Sequence, residues 1–188
     1  MKYRDFVSGV AFLLVLASCC AGVFWFVLHS KETQQAEKFV AFASLKGSAA
    51  PAFSVTTLDG KHISPQKRAK PLVVEVFATW CEICTSEIPV LNHLTATHPD
   101  VDVVAVTGSK KGANFEPESR FDLERYRSQR KVRYSIAFDP TIGLTRDYKV
   151  VGFPSIYVID RNGKITFNEA GAVSFAALDE AVKEASLD

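Results

Sequence analysis

Pro71-Leu72-Val73-Val74-Glu75-Val76-Phe77-Ala78-Thr79-Trp80-Cys81-Glu82-Ile83-Cys84 is the stretch on which the fold turns. Pro71 to Ala78 is almost continuously apolar, the pattern of a strand buried on both faces. From Cys81 to about Thr97 the pattern becomes helical, with Ile83, Ile88, Leu91 and Leu94 assigned to one apolar side. Pro89 lies inside that helix and is expected to break or kink it, because it removes a backbone donor. A Cys-x-x-Cys pair therefore sits where a buried strand becomes a helix. The helix N-terminus offers free N–H groups and partial positive charge, which stabilise a thiolate at Cys81. Cys84 lies three residues on, near enough to attack a mixed disulfide at Cys81. The spacing supplies a nucleophile and a resolving thiol. A structural disulfide is the other reading of the pair.

Outward from the motif, strands and helices alternate. Phe53 to Thr57 alternates, and Leu58-Asp59-Gly60 turns toward His62-Ile63, a hairpin signal. Val101 to Thr107 reads as a second buried strand, 108–118 as a loop, and Ser119 to about Arg130 as a charged helix. Tyr134 to Phe138 is a short strand. Asp139-Pro140 reads as an N-cap and first helical residue opening a helix to about Tyr148. Ser155 to Asp160 and Lys164 to Glu169 are strands joined at Arg161-Asn162-Gly163, and Ser174 caps a last helix to about Ser186. The order βαβαβαββα after a hairpin implies an α/β fold, a sheet with helices on both faces and an antiparallel edge.

Charge and cysteine count bound the function. The formal net charge of the 188 residues is +1. Setting aside Lys2, Arg4 and Asp5 from 22 basic and 21 acidic residues leaves 20 of each from residue 31 onward. A neutral domain gives no reason to expect nucleic-acid binding. Arg125, Arg127, Arg130, Lys131 and Arg133 follow Glu116, Glu118, Asp122 and Glu124, so a solvated helix face is expected there. Cys19 and Cys20 lie in an apolar segment, which leaves no second pair to complete a zinc site with Cys81 and Cys84. His29, His62, His93 and His98 do not cluster in sequence, and no metal or organic cofactor is expected.

Phe6 to Leu28 carries no charge. As a helix these residues would extend ~35 Å, enough to cross a ~30 Å hydrocarbon core. Lys2 and Arg4 before it favour a cytoplasmic N-terminus. The expected organisation is a cytoplasmic N-terminus (1–5), a single transmembrane anchor (6–28), a polar stem (29–48) and a folded domain (49–188). Two alternatives remain open. Leu16-Ala17-Ser18-Cys19 resembles a bacterial lipobox, and simple cleavage of a signal peptide is the other. All three put the domain outside the cytoplasm.

Several motifs together resemble the thioredoxin superfamily, and within it the membrane-tethered TlpA/ResA/CcmG (DsbE-like) thiol–disulfide oxidoreductases. The resemblance covers residues 50–186. It rests on Pro51-Ala52-Phe53, Leu58-Asp59-Gly60-Lys61, Val76 to Cys81, Glu87-Ile88-Pro89, Val151-Gly152-Phe153-Pro154-Ser155 and Asp160-Arg161-Asn162-Gly163. It implies a thioredoxin fold, with a mixed central sheet flanked by helices and an N-terminal β-hairpin extension. It implies catalytic roles for Cys81, Cys84, Glu75 and Glu87, with Cys81–Cys84 as the redox disulfide. Trp80, Phe153 and Pro154 would bind substrate, with Pro154 as the cis-proline facing the cysteines. Glu75 matches the buried acid that shuttles the proton of Cys84.

The dipeptide departs from many relatives. Ile83 replaces the usual proline, and Glu82 opposes a thiolate at Cys81. A less stabilised thiolate means a less oxidising couple, which points to a reductant. By the same resemblance the expected partners are disulfide-bearing exported proteins, for example in cytochrome c maturation, and a membrane electron donor of the DsbD/CcdA kind. The expected location is the bacterial cytoplasmic membrane, with the domain on the periplasmic side. An exported oxidase or isomerase, and a binding module with a structural disulfide, are the alternatives. A peroxiredoxin is excluded, since Val74 and Ala78 occupy the positions of its proline and hydroxyl residue. A Sco-type copper chaperone is excluded by the spacing of the cysteines.

Overall fold

The computed structural model describes residues 2–187 except 67, 113 and 115; the side chains of 2–18 and 21 lie outside the description. The chain forms two compact units, Met1–Val40 and Ala41–Asp188. Helix α1 spans Lys2–Ala43. The anchor expected over 6–28 falls largely on side chains outside the description. Among the described residues no helix is long and apolar enough to cross a membrane.

In the second unit, β1 (Val55–Thr56) and β2 (His62–Ile63) pair as an antiparallel hairpin. Gly60 takes φ +82° in the turn, where a side chain would be strained. The main sheet is formed by β3 (Leu72–Phe77), β4 (Asp102–Thr107), β5 (Ser135–Ala137), β6 (Ser155–Ile159) and β7 (Ile165–Ala170). Its order is β5-β4-β3-β6-β7. β3, β4 and β5 run parallel; β6 is antiparallel to β3, and β7 to β6. The helices are α2 (Glu82–Thr97), α3 (Arg120–Arg130), α4 (Gly143–Asp147) and α5 (Phe175–Leu187).

The period of two along β3 divides the core. Leu72, Val74 and Val76 join one cluster with Leu144, Tyr148, Tyr157 and Ile63. Val73 and Phe77 join the other, with Ile88, Leu91, Leu94, Leu123 and Leu178. Glu75 has the parity of Val73 and Phe77. It pairs in register with Ala105 and Ile156, so it stands on the face covered by α2 and α5.

Three expectations change in detail. Pro89 does not end α2, which continues to Thr97. The helix expected from Asp139-Pro140 begins only at Gly143. Asp139 Oδ1 accepts the Thr141 N–H at 3.0 Å and Oδ2 accepts the Leu144 N–H at 3.1 Å, so a side-chain-capped turn precedes the helix. Finally, residues 41–48, read as stem, belong to the second unit. Phe42 is buried against Tyr157, with ring centroids 5.7 Å apart.

Candidate active site

The strand that ends at Phe77 delivers Trp80 and Cys81 to the start of α2. Cys81 is the N-cap residue, and its Sγ accepts the Cys84 N–H at 3.1 Å. That donor is one of the free N–H groups of the first helical turn, directed at the sulfur. Cys81 and Cys84 form a disulfide with Cα atoms 5.3 Å apart. Cys84 is 1 % exposed and Cys81 7 %, so both are buried, Cys81 less deeply.

The buried stripe of α2 is Cys84, Glu87, Ile88, Leu91 and Leu94. Ile83, assigned to the apolar side from sequence, is instead 52 % exposed. A helix that buries Ile88 and Leu91 also turns positions 84 and 87 inward, and position 83 falls about 100° away. Glu87 is therefore buried on the same helix face as Cys84. Its Oε1 accepts the Val173 N–H at 3.1 Å, and Oε2 is buried with no hydrogen-bond partner. Burial raises its carboxyl above the ordinary value, against the Val173 bond, which lowers it.

Glu75 lies beneath the same face. Burial raises its carboxyl to about 8, and the Glu87 charge adds to the rise. The Tyr134 hydroxyl donates to Glu75 Oε2 at 3.5 Å, a long bond that opposes the rise, and Oε1 is buried without a partner. Glu75, raised further by the Glu87 charge, keeps its proton near neutral pH.

Trp80, Phe153 and Pro154 are the residues expected to contact substrate. The Phe153–Pro154 peptide is cis. Ser155 pairs with Val76, which sets Pro154 at the mouth of β6 beside the strand that leads into the cysteine motif. Trp80 is 45 % exposed and meets the Phe153 ring edge to face, centroids 5.9 Å apart.

Several contributors are absent from the sequence reading. A Cβ on Gly108 would lie 2.5 Å from the Phe153 ring and 2.6 Å from Val76 Cγ1, so the glycine lets the Phe153 ring approach the end of β4 closely. The Trp80 indole N–H donates to Ser109 Oγ at 3.1 Å. Glu118, grouped with a solvated helix face, is buried and accepts the Thr79 hydroxyl at 2.6 Å. No periodic signal marks it, because it follows Pro117 in a loop just before the Ser119 N-cap.

A redoxin family model matches residues 45–182. The chain belongs to the redoxin family. This redoxin is 25 % identical over 187 residues to the thiol-disulfide oxidoreductase ResA of Bacillus cereus, covering 98 % of each chain. It is 25 % identical over 145 residues to the sporulation thiol-disulfide oxidoreductase A of Bacillus subtilis, covering 77 % of this chain and 86 % of that one. Among solved structures it is similar to a thioredoxin-family thiol:disulfide interchange protein from Chlorobium tepidum. That match has 29 % identity and a TM-score of 0.60, and covers 74 % of this chain and 97 % of that one. A thio-disulfide isomerase from Thermus thermophilus aligns with 26 % identity and a TM-score of 0.63, over 76 % and 98 % of the two chains. The redoxin has the thioredoxin fold. With its adjacent cysteine pair joined at a helix N-terminus, it is a thiol–disulfide oxidoreductase.

Proposed function

We propose that this redoxin is a membrane-anchored reductant of disulfides in exported proteins, with Cys81 as its attacking thiol. The observation that carries the reading is the arrangement at the start of α2. The outer sulfur receives a helix N–H, and the inner sulfur shares a buried face with two carboxyls whose proton affinity burial raises. In the reduced state, Cys81 thiolate attacks one sulfur of a substrate disulfide. A Cys81–substrate bond forms, and the substrate's other sulfur leaves as a thiolate. Cys84 then gives its proton to Glu75 in its ionised form, with Glu87 adjacent, and attacks Cys81 Sγ. The substrate's second thiolate departs, and two electrons have passed from the cysteine pair to the substrate. Trp80 and Phe153 hold the flanking chain, and Pro154 shapes the groove for an extended peptide.

Direction and place rest on the sequence. Glu82 and Ile83 between the cysteines favour a reducing couple, and the uncharged run 6–28 favours an anchor with residues 49–188 outside the cytoplasmic membrane. An exported reductant needs electrons delivered across the membrane, which a donor of the DsbD/CcdA kind supplies. Substrates of the class are exported proteins whose cysteines must be reduced before use, as in haem attachment to apocytochrome c.

Two measurements test this reading. Cys84→Ser should accumulate mixed disulfides through Cys81 in cells; an absence of adducts would show that Cys81 is not the nucleophile. The potential of the pair, equilibrated against glutathione and dithiothreitol buffers, should lie well below ~−200 mV. A value near the ~−120 mV of a strong oxidant would reverse the direction.

A further inference from the structure

The loop between β4 and α3 folds back on itself and reaches the redox motif at two points. Lys111 bridges to Pro117, the Gly112 N–H donates to Glu116 O at 2.9 Å, and the Glu118 N–H donates to Lys110 O at 3.0 Å. Both side chains at the root of this turn engage the motif. Ser109 Oγ takes the Trp80 indole N–H, and Glu118 Oε1 takes the Thr79 hydroxyl. Thr79 and Trp80 are the two residues before Cys81.

The choice of a carboxyl at position 118 is costly. Oε2 is buried with no hydrogen-bond partner, and burial raises the group to about 7. An under-satisfied buried acid is disfavoured unless its one bond secures something. What it secures is the segment carrying Trp80, whose indole lies against Phe153. Ser109 and Glu118, the two side chains that hold the motif, also line a pocket of about 460 Å³ with Lys110, Pro117, Phe138 and Pro140.

We propose that Glu118 is a positioning residue for substrate: it holds Thr79, and together with Ser109 on Trp80 it keeps the Trp80–Phe153 ring pair preformed for the chain that flanks the substrate disulfide. The inference rests on the reading of Cys81 as nucleophile and of Trp80 and Phe153 as groove. It places the contribution of Glu118 in substrate affinity, because its carboxyl touches neither cysteine nor the Glu75–Glu87 pair. Preorganised contacts lower the ordering cost of binding.

The test uses the full-length protein with two probes, insulin as a protein disulfide and 5,5′-dithiobis(2-nitrobenzoate) as a small disulfide without a flanking chain. Glu118→Leu and Thr79→Val should each raise KM for insulin by about tenfold, the upper scale of one lost buried hydrogen bond. The kcat and the rate with the small disulfide should stay within about twofold, and Glu118→Gln, which keeps an acceptor for Thr79, should restore KM. In a Trp25→Phe background, Trp80 anisotropy should fall in Glu118→Leu and in Ser109→Ala. Should Glu118→Leu fail to fold, Thr79→Val and Glu118→Gln carry the same comparison. An unchanged KM in Thr79→Val would overturn the proposal. So would an equal loss with both probes, or a change in the Cys81–Cys84 potential beyond the ~30 mV that marks a tenfold change in equilibrium. Wild-type protein that reduces neither probe would instead remove the oxidoreductase reading itself.

Discussion

Glu75 is a carboxyl whose charge is disfavoured by Val73 and Phe77 on its own strand face, by the core around them and by Glu87, with only the long Tyr134 hydrogen bond opposing them. Its folded value of about 8 stands above the ordinary 4.5, so the folded state binds this proton more tightly than the unfolded chain does. The contribution of Glu75 to stability is whole below about 4.5 and is lost as pH rises to about 8. Glu75→Gln removes that loss. The oxidised variant should therefore unfold at higher denaturant than the wild type at pH 8, with the difference shrinking toward pH 5. Equal midpoints across this range would mean that the carboxyl is not held neutral. Turnover should move the opposite way, because glutamine cannot accept the Cys84 proton, and the deficit should grow above neutral pH. An unchanged rate–pH profile would take Glu75 out of the mechanism. The position of Glu75 was legible because apolar residues surround it in sequence. Glu118 was not legible, because its burial comes from a turn of the loop and not from a strand or helix period.

Gly108 shows how one element constrains another. It follows β4 directly, its N–H donates to Phe77 O at 2.7 Å, and the Phe153 ring occupies the space of its missing Cβ. Gly108→Ala should lower stability by ~1–3 kcal/mol, the usual cost of overpacking, and should displace Phe153 from Trp80. Chemical denaturation gives the first result, and Trp80 fluorescence in a Trp25→Phe background gives the second. A neutral substitution would mean that the ring moves aside freely. Close approaches of this kind carry no sequence period, so a glycine in a loop reads only as a turn. Regular elements were more legible. The β6–β7 connection formed where Arg161-Asn162-Gly163 marked it, with Gly163 at φ +84° and Asp160 Oδ1 accepting the Asn162 and Lys164 N–H groups at 2.9 and 2.8 Å. The α2 helix was placed correctly but turned by about one residue, since Ile83 counts as apolar in sequence while the helix buries Cys84 and Glu87 instead. At Asp139 the capping chemistry was right and the helix start was not, because the aspartate first closes a turn through Thr141.

At the scale of the whole molecule, every residue of the candidate site and both core clusters lie in the unit from Ala41 onward. The composition change that suggested a domain start at 49 comes after several residues that already belong to this unit. The Gly47 N–H donates to Ile165 O at 2.7 Å, the Ile165 N–H donates to Ser48 O at 2.9 Å, and Ala49 bridges to Lys164. These bonds pair the outer edge of β7 at its first residue, Ile165, which would otherwise present unpaired backbone. Asn168 Nδ2 donates to Phe42 O at 3.0 Å, and the Phe42 ring is buried against Tyr157. A fragment of residues 41–188 should therefore unfold cooperatively and keep the potential of the full chain within ~30 mV. A fragment of residues 49–188 loses the Phe42 ring and the strand-like cover of β7. It should be less stable by ~3 kcal/mol, the scale of removing a buried phenylalanine. Equal denaturation midpoints for the two fragments would return the boundary to 49 and make 41–48 a stem. A 41–188 fragment that fails to fold would make α1 part of the folding unit as well as a candidate tether.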